Sequence, residues 1–376
     1  MNGHDVGNGD ESVAFEPLRI VGLTLDGFRN LLPLSFEPGP RFNVLFGDNG
    51  AGKSSVLEAI GYLASLRSFR SARKDDMIAL DATRASLRAR IESTPLFRDY
   101  RIALDRSAGR SVQVDGKKPR SLGSYYGLLP TVLFHPGDTE LMSGSPEARR
   151  AFLDRILEQV DAGYARLVDD FTKALRSRNR LLKTVRVEPR SVSAYDGILA
   201  DLGARIGSAR MSLTAELKPL VEAHFAEITE QALPLDVSYA ARHEPDRALM
   251  LRALGDSLDK DLVRGFTGVG PHGDDLRAGI KQTLAKHHAS QGQHRALVLA
   301  LKVAELSVLA QHKRRLPLLL LDDVSSELDR SRNRRFFQLL GKLGGQIFLT
   351  TTHREFILLE EHRSDFQVES GRVSRV

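Results

Sequence analysis

The sequence has no cysteine, which excludes disulfides and thiolate metal sites and suits a reducing, cytoplasmic setting. Its longest unbroken apolar runs, such as Ala296 to Leu301, reach only about six residues, far below the ~20 that a membrane-spanning helix needs. Residues 1–15 (MNGHDVGNGDESVAF) have neither a basic start nor an apolar stretch, so they read as a disordered tail and not as a secretory signal. No motif that reads bases is present, so nothing here selects a nucleic-acid sequence. What remains is 376 residues, 41% hydrophobic and 27% charged. That describes an ordinary globular protein of two or three domains, or one domain with a large insertion.

Lys and Arg exceed Asp and Glu by 6, and the pI is about 9.5. Such an excess permits nucleic-acid binding without demonstrating it. Arg67, Arg70, Arg73 and Lys74 lie within eight residues and read equally as a solvated helix end or as a patch contacting phosphates.

The most informative stretch is Gly47-Asp48-Asn49-Gly50-Ala51-Gly52-Lys53-Ser54, followed by Ser55. It matches G-x-x-x-x-G-K-[ST] at every fixed position. Glycines let the backbone curl so that successive N–H groups face one concave nest for phosphate oxygens. Lys53 adds a point charge at the β- and γ-phosphates, and Ser54 offers a hydroxyl to Mg²⁺. The flanks suit that role. Residues 41–46 predict a strand entering the loop, and residues 55–60 a helix whose positive end faces the phosphates.

Before this loop, Leu18 to Leu25 and Leu34 to Phe36 read as strands. After it, Ala85 to Ile91, Tyr100 to Leu104 and Ser111 to Val114 alternate in polarity, which predicts an antiparallel sheet beside the nucleotide core. Val132 to Phe134 is a short apolar strand. From about residue 145 the period becomes helical. Phe152, Ile156, Val160, Tyr164, Leu167, Phe171 and Leu175 predict one face of a long amphipathic helix. A second stripe runs from Tyr195 to Phe225 after a break near Pro189, so the two helices predict an antiparallel hairpin. No heptads extend past them, so any arm is short. Ser238 to Ala241 predicts a return to a sheet.

Ala289-Ser290-Gln291-Gly292-Gln293-His294-Arg295 opens an apolar helix, with Ser290 as its N-cap and free N–H groups at its start. Leu316 to Leu321 is an apolar run ending in Asp322 and Asp323. It reads as a buried parallel strand with its carboxylates at the end where ligands bind. Asp322 is then placed to hold Mg²⁺, and Asp323 to orient or deprotonate an attacking water. Ser326-Glu327-Leu328-Asp329 follows, and residues 346–350 predict a strand leading to His353, within reach of a γ-phosphate.

In this order the motifs resemble ABC-type ATPases, more narrowly the SMC-like branch that works on DNA, and within it the RecF family. The matching stretches are GDNGAGKSSVLEAI, RSFR, FHPGDTELMSGSPEARRAFLD, GPHGDDL, SQGQHRALVLALKVAE and LLLDDVSSELD. The resemblance spans the chain after residue 15. It implies an α/β fold: an ABC/SMC-like P-loop ATPase head with an antiparallel β subdomain and an inserted helical domain. The head would comprise residues 16–140 and 246–376, and the insertion residues 141–245. It implies an ATP-dependent homodimer, with ATP and Mg²⁺ between the P-loop of one subunit and Ser290, Gln291, Gly292 and Gln293 of the other. Asp329 would lie at the seam, and His353 would sense the γ-phosphate. Partners implied are single-stranded or gapped DNA, RecO and RecR, and functionally RecA, with slow ATP hydrolysis releasing the DNA.

Two positions depart from the family pattern. The loop after Val132–Phe134 offers His135, Pro136 and Asp138 where a glutamine is usual, and Gly273 stands where a basic residue commonly follows G-P-H. Other readings are a P-loop kinase, an SMC-like nuclease whose acids would centre on Asp274-Asp275, and a transporter ATPase. The long helical interruption disfavours the last.

Overall fold

The computed structural model describes residue 15 and residues 18–70, 73–184, 186–229, 233–281, 283–323, 330–357 and 361–376. The chain begins with β1 (Leu18–Asp26), β2 (Leu34–Phe36) and β3 (Phe42–Phe46), then α1 (Lys53–Ser65). Leu18, Ile20, Leu23 and Leu25 are all buried. Their alternation slips by one residue because a bulge lies between Ile20 and Gly22. Then come β4 (Arg84–Ser93), β5 (Leu96–Asp105), β6 (Gly109–Val114) and β7 (Thr131–Phe134). The expected antiparallel sheet is present, in the order β2-β1-β4-β5-β6.

Helices follow: α2 (Glu140–Ser143), α3 (Pro146–Val160), α4 (Tyr164–Leu182), α5 (Pro189–Ser193) and α6 (Asp196–Thr229). The apolar stripe expected to be one helix is thus two, broken at Asp161-Ala162-Gly163. Asp161 accepts the Gly163 N–H at 2.8 Å, closing a side-chain turn that competes with the helix ladder. The turn keeps the apolar residues in phase, so spacing alone did not register the break. The hairpin is present as α4 against α6, and α6 also lies along α10 (Gln291–Lys313).

Between these come β8 (Leu235–Ala240), α7 (Arg247–Asp256), α8 (Leu258–Arg264), β9 (Asp275–Ile280), β10 (Thr283–Leu284) and α9 (Ala285–His288). The strand at Ser238 does not rejoin the main sheet. It pairs with β9 in a separate ribbon of order β10-β9-β8, where Val237, Leu276, Ala278 and Ile280 face the core. The chain ends with β11 (Leu318–Leu321), α11 (Arg330–Leu343), β12 (Ile347–Thr351), β13 (Arg363–Glu369) and β14 (Arg372–Arg375).

The main sheet runs β14-β13-β3-β12-β11-β7 and is parallel except for β14. Both faces are covered, so all four residues of β11 are buried. Leu318 and Leu320 join a core with α1 and the antiparallel sheet. Leu319 and Leu321 join a second core with α3, α6 and α10. Helix α1 is buried from Ser55 to Ala64 because it lies between two sheets. The P-loop therefore emerges where both layers meet.

Candidate nucleotide-binding site

Strand β3 delivers the chain to Gly47, whose φ of 147° suits glycine. A Cβ there would lie 2.1 Å from the Val368 carbonyl oxygen, so the loop packs on β13 in a way only glycine allows. Lys53 Nζ donates to the carbonyls of Gly47 at 2.6 Å and Asp48 at 2.8 Å. Burial lowers its pKa, while Asp323, Asp322 and Asp48 pull it back up.

The acidic strand meets the loop as its sequence implied. Ser54 Oγ donates to Asp322 Oδ1 at 2.7 Å, and Thr350 Oγ1 donates to the same oxygen at 2.8 Å. Thr350 Oγ1 also accepts the Asp323 N–H at 2.9 Å. Asp323 has a φ of 50°, a left-handed turn that an aspartate tolerates. The hydroxyl of Ser54 and the carboxylate of Asp322 are the hard oxygen donors that a small divalent cation takes.

Three residues that sequence reasoning did not single out hold this arrangement. Asn30 Nδ2 donates to the Gly50 carbonyl at 2.8 Å, and Asn30 Oδ1 accepts from Ser55 Oγ at 2.8 Å. Arg29 grips the buried Glu58 of α1 through Nε at 2.9 Å and Nη2 at 2.6 Å. From the far end of the sequence, Gly371 N–H donates to the Ala51 carbonyl at 2.9 Å. The available signal was a turn at Asp26-Gly27 followed by polar residues. It indicated a loop and not its destination.

A cleft of about 650 Å³ results. It runs from Asp323, Thr350 and Thr352 past Lys53 and Ser54 to Asn30, Arg29 and the segment Ile78–Asp81. It is large enough for a nucleotide.

Other predicted site residues lie away from this cleft. Ser290 caps α10 as predicted, accepting the Gln293 N–H at 3.2 Å, while Gln293 Oε1 accepts the Ser290 N–H at 2.9 Å. This capping box engages two of the N–H groups expected to be free. Ser290, Gln291, Gly292 and Gln293 do not border the cleft, and Ser290 and Gln291 are exposed. His353 follows β12 as expected, but its side chain is 60% exposed and lies 3.4 Å from the Glu355 carboxylate. Asp329 lies outside the described residues.

The basic cluster divides. Arg67 pairs with Glu158 through two bonds, at 2.7 and 2.9 Å, and Lys74 donates to the Asp105 carbonyl. Arg73 is exposed. Arg70 borders the cleft, 3.4 Å from Ser55 Oγ and 3.6 Å from Glu58.

The two departures also have structural answers. His135 N–H donates to Asp138 Oδ2 at 2.9 Å, and Lys302 of α10 lies 3.6 Å from Asp138 and 3.4 Å from Glu305. The loop after β7 is thereby tied to the helix that Ser290 opens. Burial lowers the pKa of His135 and raises that of Glu305. At Gly273 a Cβ would lie 2.8 Å from Arg242 Cδ, so Arg242 lies across the glycine. Asp274 and Asp275 are held by Tyr239 and Arg149.

A P-loop at the end of a central strand of a mainly parallel sheet, an acidic strand two places along and an inserted helical layer define an ATPase head of the SMC-like, ABC type. The family model described as the RecF/RecN/SMC N terminal domain matches residues 19–372. The chain belongs to the RecF family. It is 40% identical over 347 residues to the DNA replication and repair protein RecF of Myxococcus xanthus, covering 89% of this chain and 91% of that protein. The Geobacter sulfurreducens protein of the same name is 35% identical, over 96% and 100%. A solved structure titled recombination mediator protein RecF-ATP in the RecFOR pathway superposes with a TM-score of 0.87 at 30% identity, covering 96% of this chain and 99% of that one. The Smc head domain of Pyrococcus furiosus, 16% identical with a TM-score of 0.57 over 96% of each chain, shares the fold. Among the described residues, no helix is long and apolar enough to cross a membrane.

Proposed function

We propose that this chain is an ATP-switched DNA-binding protein of recombinational repair and replication-fork maintenance. ATP joins two copies on gapped or single-stranded DNA, and slow hydrolysis releases them. One contrast carries this reading. Ser54 and Asp322 meet at 2.7 Å within one chain, whereas Ser290 to Gln293 stand at the exposed start of α10 and do not border that cleft. Half a site is assembled, and a second copy supplies the other half through its own α10. The helix N-terminus then meets the γ-phosphate that Lys53 holds from the other side.

In this reading Gly47 to Ser55 cradle the phosphates, and Asp323 positions the attacking water. Mg²⁺, held by Ser54 and Asp322, would neutralise charge on the β- and γ-phosphates. His353 turns from Glu355 to the γ-phosphate when the second copy closes, and Asp329 lies at the seam. RecF relatives carry names from replication and repair, and a solved RecF is titled as bound to ATP in the RecFOR pathway. These support placing the chain with RecO and RecR at gaps, promoting RecA loading, in the cytoplasm.

The deciding measurement is solution mass with and without Mg-ATP. A dimer with nucleotide and a monomer without it are expected, while a monomer that retains bound ATP would remove the shared-site reading. Sedimentation with gapped DNA, comparing wild type with Lys53→Arg, should show ATP-dependent DNA binding lost or strongly reduced in the variant.

A further inference from the structure

The loop entering β9 carries two carboxylates, and both are engaged. Asp274 is buried, accepting from the Tyr239 hydroxyl at 2.6 Å and the Arg242 backbone N–H at 2.9 Å. Asp275 takes Arg149 through two bonds, at 2.7 and 3.0 Å. Arg210 is likewise engaged, donating to the Pro271 carbonyl at 2.8 Å and pairing with Asp154, but three further arginines around the loop have no such partner. Arg150, at the start of α3, donates Nη1 to the Asp274 backbone carbonyl at 2.7 Å. Arg242 is exposed, and its side chain meets Gly273 only through the close approach already described. Arg277 stands two residues beyond Asp275, opposite Ser238 in the β8–β9 ribbon, and is exposed. Residues two apart on a strand share a face, so Arg277 lies on the Asp275 side of the ribbon. Among the described residues, none of these three arginines is in an ion pair.

We propose that Arg150, Arg242 and Arg277 form a contact surface for the sugar–phosphate backbone of DNA. The inference rests on the reading of the chain as a DNA-binding protein and assigns that reading a place. Guanidinium groups form paired hydrogen bonds to phosphate oxygens. Three of them, left without carboxylates beside acids that are already neutralised, present positive charge that a polyanion relieves. Arg242 is the mobile member, because leaving Gly273 breaks no side-chain hydrogen bond. Gly273 has a physical role here: any side chain at that position would push Arg242 from its resting place. Backbone contacts of this kind fix register and carry no sequence information, so the surface serves gaps of any sequence.

The test is fluorescence anisotropy of the full chain with Mg-ATP on a labelled gapped duplex, read as log affinity against log salt. Each lost phosphate contact makes the slope shallower by about 0.9 on duplex DNA. Arg242→Ala combined with Arg277→Ala should therefore flatten it by about 1.8 per chain, weaken binding at low salt, and leave ATP turnover without DNA unchanged. Arg242→Glu should weaken binding further than Arg242→Ala. Wild-type binding with an unchanged slope in the double variant overturns this surface while leaving the DNA reading standing. Absence of ATP-dependent binding in the wild type overturns both.

Discussion

Thr350 serves two acidic residues with one hydroxyl, donating to Asp322 Oδ1 and accepting from the Asp323 N–H. Thr350→Val keeps the shape and removes both bonds; Asp322 Oδ1 keeps its bond from Ser54, but the Asp323 N–H is left unmatched, at a cost of about 1–3 kcal/mol. Urea denaturation should show that loss, with Thr350→Ser close to wild type. Asp323 bears on rate more than on stability. In its proposed role of orienting the attacking water, its carboxylate, one methylene shorter than a glutamate's, would set that water back from the γ-phosphate. Asp323→Glu should raise ATP turnover several-fold at similar ATP affinity, and a fall in turnover would remove the argument from reach. At this scale the P-loop and the acidic pair were legible because each is a short run whose chemistry is local. Asn30, Arg29 and Thr350 were not, since their roles depend on partners that only the folded chain brings near.

Among the elements, α10 ties its own exposed start to the loop after β7. It opens at Ser290 and carries Lys302 and Glu305 into contact with the loop after β7. Burial raises the Glu305 pKa above its ordinary 4.5. Ionising this carboxyl in the folded state therefore costs stability. The penalty is absent well below pH 4.5, grows as pH rises through the shifted value, and stays constant above it. Glu305→Gln lacks the penalty, so its Tm relative to wild type should improve between pH 4 and pH 8. A difference that stays flat with pH would mean that the carboxyl does not titrate in this window. Sequence pattern identified α10, α6 and every strand of the main sheet from β3 to β12, because buried strands and apolar stripes are read locally. It merged α3 with α4 and left open which sheet β8 joins, since an in-phase turn and the choice of strand partner leave no trace in periodicity.

Taken whole, the molecule does not divide at the helical insertion as cleanly as its sequence did. Leu213, Leu217, Val221 and Phe225 of α6 share one core with Leu297 and Leu301 of α10 and with Ile347 and Leu349 of β12. Without α10, the longest helix exposes much of its apolar face. A fragment spanning residues 141–245 should therefore give helical circular dichroism without a cooperative thermal transition. The intact chain should unfold with the insertion and the head melting together. A separate, sharp transition in the fragment would show the insertion to be an independent domain.

The P-loop strand β3 lies between β12 and β13, and the loop itself is closed by the Gly371 N–H on the Ala51 carbonyl. Synthesis runs in the other direction. A growing chain produces Lys53 and Ser54 early, yet the strands that flank them and the acids that face them emerge only near the end. Until then the phosphate nest has no walls on either side. Nucleotide binding thus becomes available only when translation is nearly finished, so a chain cut short before its last strands carries a phosphate loop with neither its flanking strands nor its facing acids.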